Sequence, residues 1–167
     1  MDYNIVLIGM PGSGKSTVGR PLAKKMNAVF VDLDTAIEQK AGKTIPQIFA
    51  EDGEPAFRDM EQLCAEETAA RSGQVIATGG GIILREANMT ALGKKGVVVF
   101  LDRPVGDILR ENLSGRPLLK DDATRIHRLY DQRIGLYRRY GQITVENTTT
   151  PRETVQKILD AVRRTRP

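Results

Sequence analysis

One cysteine, one histidine and no tryptophan among 167 residues remove several chemistries at the outset. The lone Cys64 has no partner for an intramolecular disulfide. Its setting in a helical pattern is that of a small packed residue rather than a nucleophile. The lone His127, in a polar helical stretch, leaves too few parts for a histidine metal site or a Ser-His-Asp triad. Aromatic residues make up only 5% of the chain and few interleave the arginines, and no nucleic-acid motif is present. The net charge of +4 is therefore read as suiting small anionic ligands, with no nucleic-acid partner expected. No apolar run approaches the roughly 20 residues of a membrane helix. The N-terminal segment has no basic stretch ahead of a signal-type apolar run, so a cytoplasmic protein with no membrane association is expected.

What is present is an alternation. Five short runs rich in Val and Ile, at residues 3–8, 28–31, 74–78, 96–101 and 142–146, lack polar alternation, as strands covered on both faces do. Helical patterns separate them. Val18, Leu22 and Met26 repeat every four residues as one buried stripe. A helix is expected from Glu54 to Ser72, with Pro55 at its first position and Gly73 as its stop. Thr150-Pro151-Arg152-Glu153 reads as a capping box opening a last helix, which ends in the basic Arg163-Arg164-Thr165-Arg166, where cations suit the dipole. Strands alternating with helices predict an α/β sandwich around a five-stranded parallel sheet, folded as a single domain over residues 1–167. Two stretches interrupt the pattern: residues 33–72, helical without a strand, and residues 114–123, read as a mobile lid loop.

The chemistry concentrates after the first strand. Gly9-Met10-Pro11-Gly12-Ser13-Gly14-Lys15-Ser16 matches the phosphate-cradling pattern GxxxxGK[ST], placed between a strand and a helix as the motif requires. Its backbone N–H groups can line an anion nest, and the following helix adds its positive end. Lys15 can reach β- and γ-phosphates and Ser16 can ligate magnesium. Pro21, inside the next helix, predicts a kink or loosened turn. An Asn-Lys-x-Asp guanine reader is missing, leaving ATP enzymes and nucleotide-gated binding proteins.

Around this cradle stand further candidates. Asp32 and Asp34 alternate on an extended segment and are expected to face the ligand end of the second strand, although Asp also caps helices. Phe57-Arg58-Asp59-Met60-Glu61 lies on a helix, Thr78-Gly79-Gly80-Gly81 ends the third strand, Arg116-Pro117-Leu118-Leu119 sits in the loop, and Arg133 precedes Tyr137 by four.

Taken in this order, from residue 3 to residue 162, these motifs resemble the shikimate kinase family, of the nucleoside-monophosphate-kinase group of P-loop folds. The resemblance implies a three-layer P-loop kinase sandwich with a helical substrate-binding segment and a closing lid. It implies a magnesium-dependent transfer of the γ-phosphoryl group of ATP to the 3-hydroxyl of shikimate, in aromatic amino-acid biosynthesis, by a monomer. ATP would be held by Gly12, Ser13, Gly14, Lys15, Ser16 and Thr17, with Arg110 and the lid residue Arg116. Shikimate would be held by Asp34, Arg58 and Arg133, with Gly79, Gly80 and Gly81 forming the wall. Lys15, Asp34 and Arg116 would be catalytic, and Ser16 and Asp32 would hold Mg²⁺. Glu61, three residues after Arg58, could hold that arginine in place.

Two features depart from the pattern. Val97 to Asp102 looks like a Walker B strand, but Asp102 is expected to start a loop away from the metal. Some relatives carry an adenine-stacking arginine before the last helix, where this chain has Asn147-Thr148-Thr149-Thr150-Pro151, so the adenine contact is unassigned; nothing places neighbouring Arg152 on the base. Gluconate kinase, an adenylate-type kinase and a non-catalytic ATP-binding module are the rival readings.

Overall fold

The computed structural model describes residues 1–112 and 120–166. Five strands, β1 (Asn4–Ile8), β2 (Val29–Asp32), β3 (Gln74–Ala77), β4 (Gly96–Asp102) and β5 (Ile143–Glu146), form one parallel sheet in the order β2-β3-β1-β4-β5. Each boundary lies within one residue of the sequence expectation.

The pleat sorts side chains onto two cores. Ile5 and Leu7 of β1, with Val97, Val99 and Leu101 of β4, face α1 (Lys15–Lys25) and α8 (Pro151–Thr165), which supply Val18, Leu22, Val155 and Ile158. Val6 and Ile8, with Val98 and Phe100, face the other layer. That layer holds α2 (Leu33–Ala41), α3 (Ile45–Asp52), α4 (Glu54–Ala69), α5 (Glu86–Lys94), α6 (Val105–Asn112) and α7 (Lys120–Tyr140). The result is the three-layer sandwich expected. β1, β3 and most of β4 are wholly buried, but the edge strands are not: Val29 of β2 is 63% exposed, and Val145 is the only buried residue of β5. An edge strand has a neighbour on one side only, and the flanking helices cover the sheet's centre first.

Local signals were right in kind and sometimes off in place. Helix α4 ends at Ala69, before Gly73; Arg71 N–H closes onto the Thr68 carbonyl, while Gly73, at φ 77°, makes the turn into β3. Thr150 caps α8 by accepting from Glu153 N–H at 3.3 Å. Helix α1 stays continuous across Pro21, because Val18, Leu22 and Ala23 are packed against the sheet and tertiary burial outweighs one missing hydrogen bond. Cys64 is buried and His127 exposed, as expected.

The carboxyl ends of β1, β2 and β3 meet where the strand order reverses, the position at which open α/β sheets bind ligands. The segments that follow them, residues 9–14, 33–34 and 78–81, are the ones the sequence marked.

Candidate active site

The turn after β1 is built to expose backbone donors. Gly14 has φ 94°, a left-handed value that strains other residues, and a methyl group there would lie 2.6 Å from Asn147 Nδ2. Lys15 opens α1 but folds back: Nζ donates to the carbonyls of Gly9 at 2.7 Å and Met10 at 2.8 Å, and to Ser13 Oγ at 3.4 Å. Only 8% of Lys15 is exposed. Burial lowers its pKa to about 8; Arg133 pushes the same way, while Asp34 and Asp32 oppose.

Asp32 does two jobs at the end of β2. Its Oδ1 accepts from the N–H groups of Asp34 (3.0 Å) and Thr35 (3.2 Å), capping α2, and its Oδ2 accepts from Ser16 Oγ at 2.9 Å. The expectation of two alternating carboxylates on one extended segment is thus corrected: the strand stops at Asp32 and Asp34 lies in the first turn of α2. The helix begins there because Asp32 caps it. Both carboxylates still reach the cleft, since both act on the charge of Lys15. Burial raises the pKa of Asp34, and neighbouring Asp32 adds to the rise.

The third wall is glycine because side chains press against it. A methyl group at Gly79 would lie 2.9 Å from Asp34 Oδ1, and one at Gly81 would lie 2.7 Å from Arg58 Nη2. At Gly80 it would lie 2.6 Å from Pro11 Cδ, so the phosphate loop and this wall are in contact. Arg58, 13% exposed, donates from Nη1 to buried Glu61 at 2.9 Å and approaches Glu54 at 3.5 Å. Its Nε is buried and has no hydrogen-bond partner among the described residues. Burial raises the pKa of Glu61, while Arg58 draws it back. Arg133, on α7, is half-buried and its charge is felt by Lys15, Glu61 and Tyr137.

Two cavities adjoin. One of about 410 Å³ is lined by Pro11, Lys15, Ser16, Asp32, Asp34 and Gly79–Gly80. The other, about 480 Å³, shares Gly14 and Thr17 with it and runs outward past Arg103, Arg110, Asn147–Thr149 and Pro151. Exposed Arg110 pairs with Asp107 at that outer rim. Arg116 and most of the expected lid lie outside the described residues; residues 120–123 belong to α7.

Several residues of the site carried no role in the sequence reading. Asn147 Nδ2 donates to the Ser13 carbonyl at 2.8 Å while its Oδ1 accepts from Thr154 Oγ1 at 2.9 Å, tying the phosphate loop to α8. Arg103 Nη1 donates to the Gly12 carbonyl at 2.9 Å and pairs with Glu111 of α6. Both stand just beyond the carboxyl end of a strand, the one signal that could have flagged them. Asp102 ends β4; the charges it meets are Arg138 and Glu146, and it is not among those acting on Lys15.

A hard, small dication suits this oxygen set. Mg²⁺ uses one or two carboxylates with substrate phosphates and water rather than a protein cage. Ser16 Oγ and Asp32 Oδ2 offer that partial shell beside the cradle, and no group of three or more acidic, His or Cys side chains able to hold a metal occurs among the described residues.

The family model described as shikimate kinase matches residues 11–163. The shikimate kinase of Clostridium botulinum (strain Eklund 17B / Type B) is 43% identical over 159 residues, covering 95% of this chain and 96% of that protein. That of Synechococcus elongatus is 40% identical over 164 residues, covering 95% and 86%. Among solved structures, shikimate kinase from Acinetobacter baumannii in complex with shikimate superposes with a TM-score of 0.90 at 37% identity, covering 98% of this chain and 94% of that one. A gluconokinase from Sinorhizobium meliloti 1021 shares the fold, with a TM-score of 0.67 at 16% identity, covering 98% and 93%.

Proposed function

The chain belongs to the shikimate kinase family, and from that premise we propose that it transfers the γ-phosphoryl group of ATP to the 3-hydroxyl of shikimate, giving shikimate 3-phosphate and ADP. The observation that carries the reading is the contact between Pro11 and Gly80. It joins the phosphate loop to the glycine wall, so that Lys15 and Asp34 line one cavity and Arg58 lies beside Gly81.

Each residue then has a task set by its surroundings. The loop N–H groups and the start of α1 hold the ATP phosphates, and Lys15 exchanges its carbonyl partners for phosphate oxygens. Asp34 accepts a hydrogen bond from the acceptor hydroxyl and raises its nucleophilicity; its raised pKa makes it the stronger acceptor. Arg58 and Arg133 hold the carboxylate of shikimate through planar guanidinium forks. Glu61 keeps the Arg58 side chain in place. Ser16 and Asp32 hold Mg²⁺, which when bound neutralises charge on the β- and γ-phosphates. The outer cavity takes the nucleoside, with Arg110 at its rim. Arg116, outside the described residues, adds a positive charge to the ATP phosphates. The chain works as one kinase domain, a cytoplasmic monomer.

ADP release from ATP and Mg²⁺, with and without shikimate and with gluconate and AMP as alternative acceptors, tests the reading. Release that depends on shikimate and vanishes in Lys15→Ala is expected. Turnover with another acceptor alone would overturn the substrate, and ATP binding with no turnover would leave a non-catalytic module.

A further inference from the structure

Tyr137 is wholly buried, yet its hydroxyl reaches the wall of the cleft. The O–H donates to the Gly80 carbonyl at 2.6 Å, and the positive charge of Arg133 bears on the same hydroxyl. A phenol has one proton to give and two lone pairs; here the proton serves the wall, which leaves the lone pairs to accept from the arginine. Arg133 and Tyr137 are four residues apart on α7, so they lie on one helix face. The ring itself is held by stacking on Phe100 of β4, with centroids 5.3 Å apart and planes at 19°. Burial raises the phenol's pKa, so the hydroxyl keeps its proton and remains a donor to Gly80.

An unrestrained arginine has many rotamers, and ordering it on binding costs affinity. We propose that Tyr137 is a positioning residue for shikimate binding: through Gly80 and Arg133 it fixes the guanidinium against the glycine wall before the substrate's carboxylate arrives. The sheet supplies the reference frame, because Phe100 anchors the ring and β3 leads into Gly80. Tyr137 touches no substrate; it acts through Arg133. The inference rests on the reading of Arg133 as a carboxylate ligand.

Tyr137→Phe keeps the ring and its stacking and removes only the hydroxyl. In the full chain it should raise the shikimate KM roughly five- to twentyfold, while kcat and the KM for ATP stay within about twofold. The companion variants are Arg133→Ala and the double variant. Once Arg133 is gone, Tyr137→Phe should add less than about twofold, because the two act as one unit. If Arg133→Ala raises the shikimate KM and Tyr137→Phe does not, the positioning role is wrong and the carboxylate ligand stands. If Arg133→Ala leaves that KM unchanged, the ligand reading fails and the inference with it. Additive effects, or a joint fall in kcat, ATP affinity and Tm in Tyr137→Phe, would make the tyrosine a structural residue and overturn the proposal.

Discussion

Gly79→Ala asks whether the cleft holds Asp34 to a fixed place. The new methyl carbon would lie 2.9 Å from Asp34 Oδ1 and 3.4 Å from Glu61 Oε2. Non-bonded atoms of this kind settle at about 3.4 Å or more, so the Asp34 carboxylate must retreat by roughly 0.5 Å. Glu61 is the less able to give, being buried and bound to Arg58. The backbone at Gly79 is not left-handed, so alanine brings no strain of its own. A displacement of about 1 Å in a reacting group costs on the order of a hundredfold in rate. Half that distance implies roughly tenfold in kcat, or about 1.4 kcal/mol of transition-state stabilisation. The assay is ADP release at saturating ATP and shikimate, with ATP affinity measured by calorimetry. Affinity should stay within about twofold, because the bonds from Lys15 to Gly9 and Met10 lie outside the change. A kcat within twofold of the parent, or ATP affinity falling alongside kcat, would refute the reasoning that places Asp34 against this wall.

Three further outcomes are expected. Asp34→Asn should lower kcat by roughly a hundredfold or more with ATP binding intact, checked by steady-state kinetics beside calorimetry. ATP affinity should fall as pH rises above about 8 in a titration series. The folded pKa of Lys15 lies below its usual 10.5, so the free protein loses this proton in the window that opens at about 8, and bound phosphate must then restore it. Below that window Lys15 should add no slope, and a Lys15→Met variant should lose the dependence. Gly135→Ala places a methyl group in open space on α7; it should stabilise by about 0.5–1 kcal/mol, seen as a Tm rise of roughly 1–4 °C.

The legible parts of this chain are those whose cause is local. Buried strands read as unbroken Val and Ile runs, so β1, β3 and β4 were placed to within a residue. The phosphate cradle is contiguous because a nest of N–H groups is made by consecutive peptides, and Gly9 to Ser16 spells it out. Arg58 and Glu61, three apart on a helix, were predictable as a pair for the same reason and are found at 2.9 Å. Where two local rules compete, the sequence is less decisive. Asp32 and Asp34 fit an extended segment as well as a capped helix, and hydrogen bonds to the Asp34 and Thr35 N–H groups chose the helix.

Long-range contacts had to wait for the sheet. Asn147 meets Ser13 across 134 residues, Arg103 meets Gly12 across 91, and Tyr137 meets Gly80 across 57. None of these distances follows from periodicity; each follows from the strand order β2-β3-β1-β4-β5, which brings the ends of β3, β4 and β5 beside the loop after β1. Which chemistry is available was already written in the residue order, because a phosphate nest and an acceptor's ligands are properties of residue types at short spacing. How those groups are buried, paired and aimed was set by folding, because the energy of holding a charge depends on neighbours that the chain brings from far away.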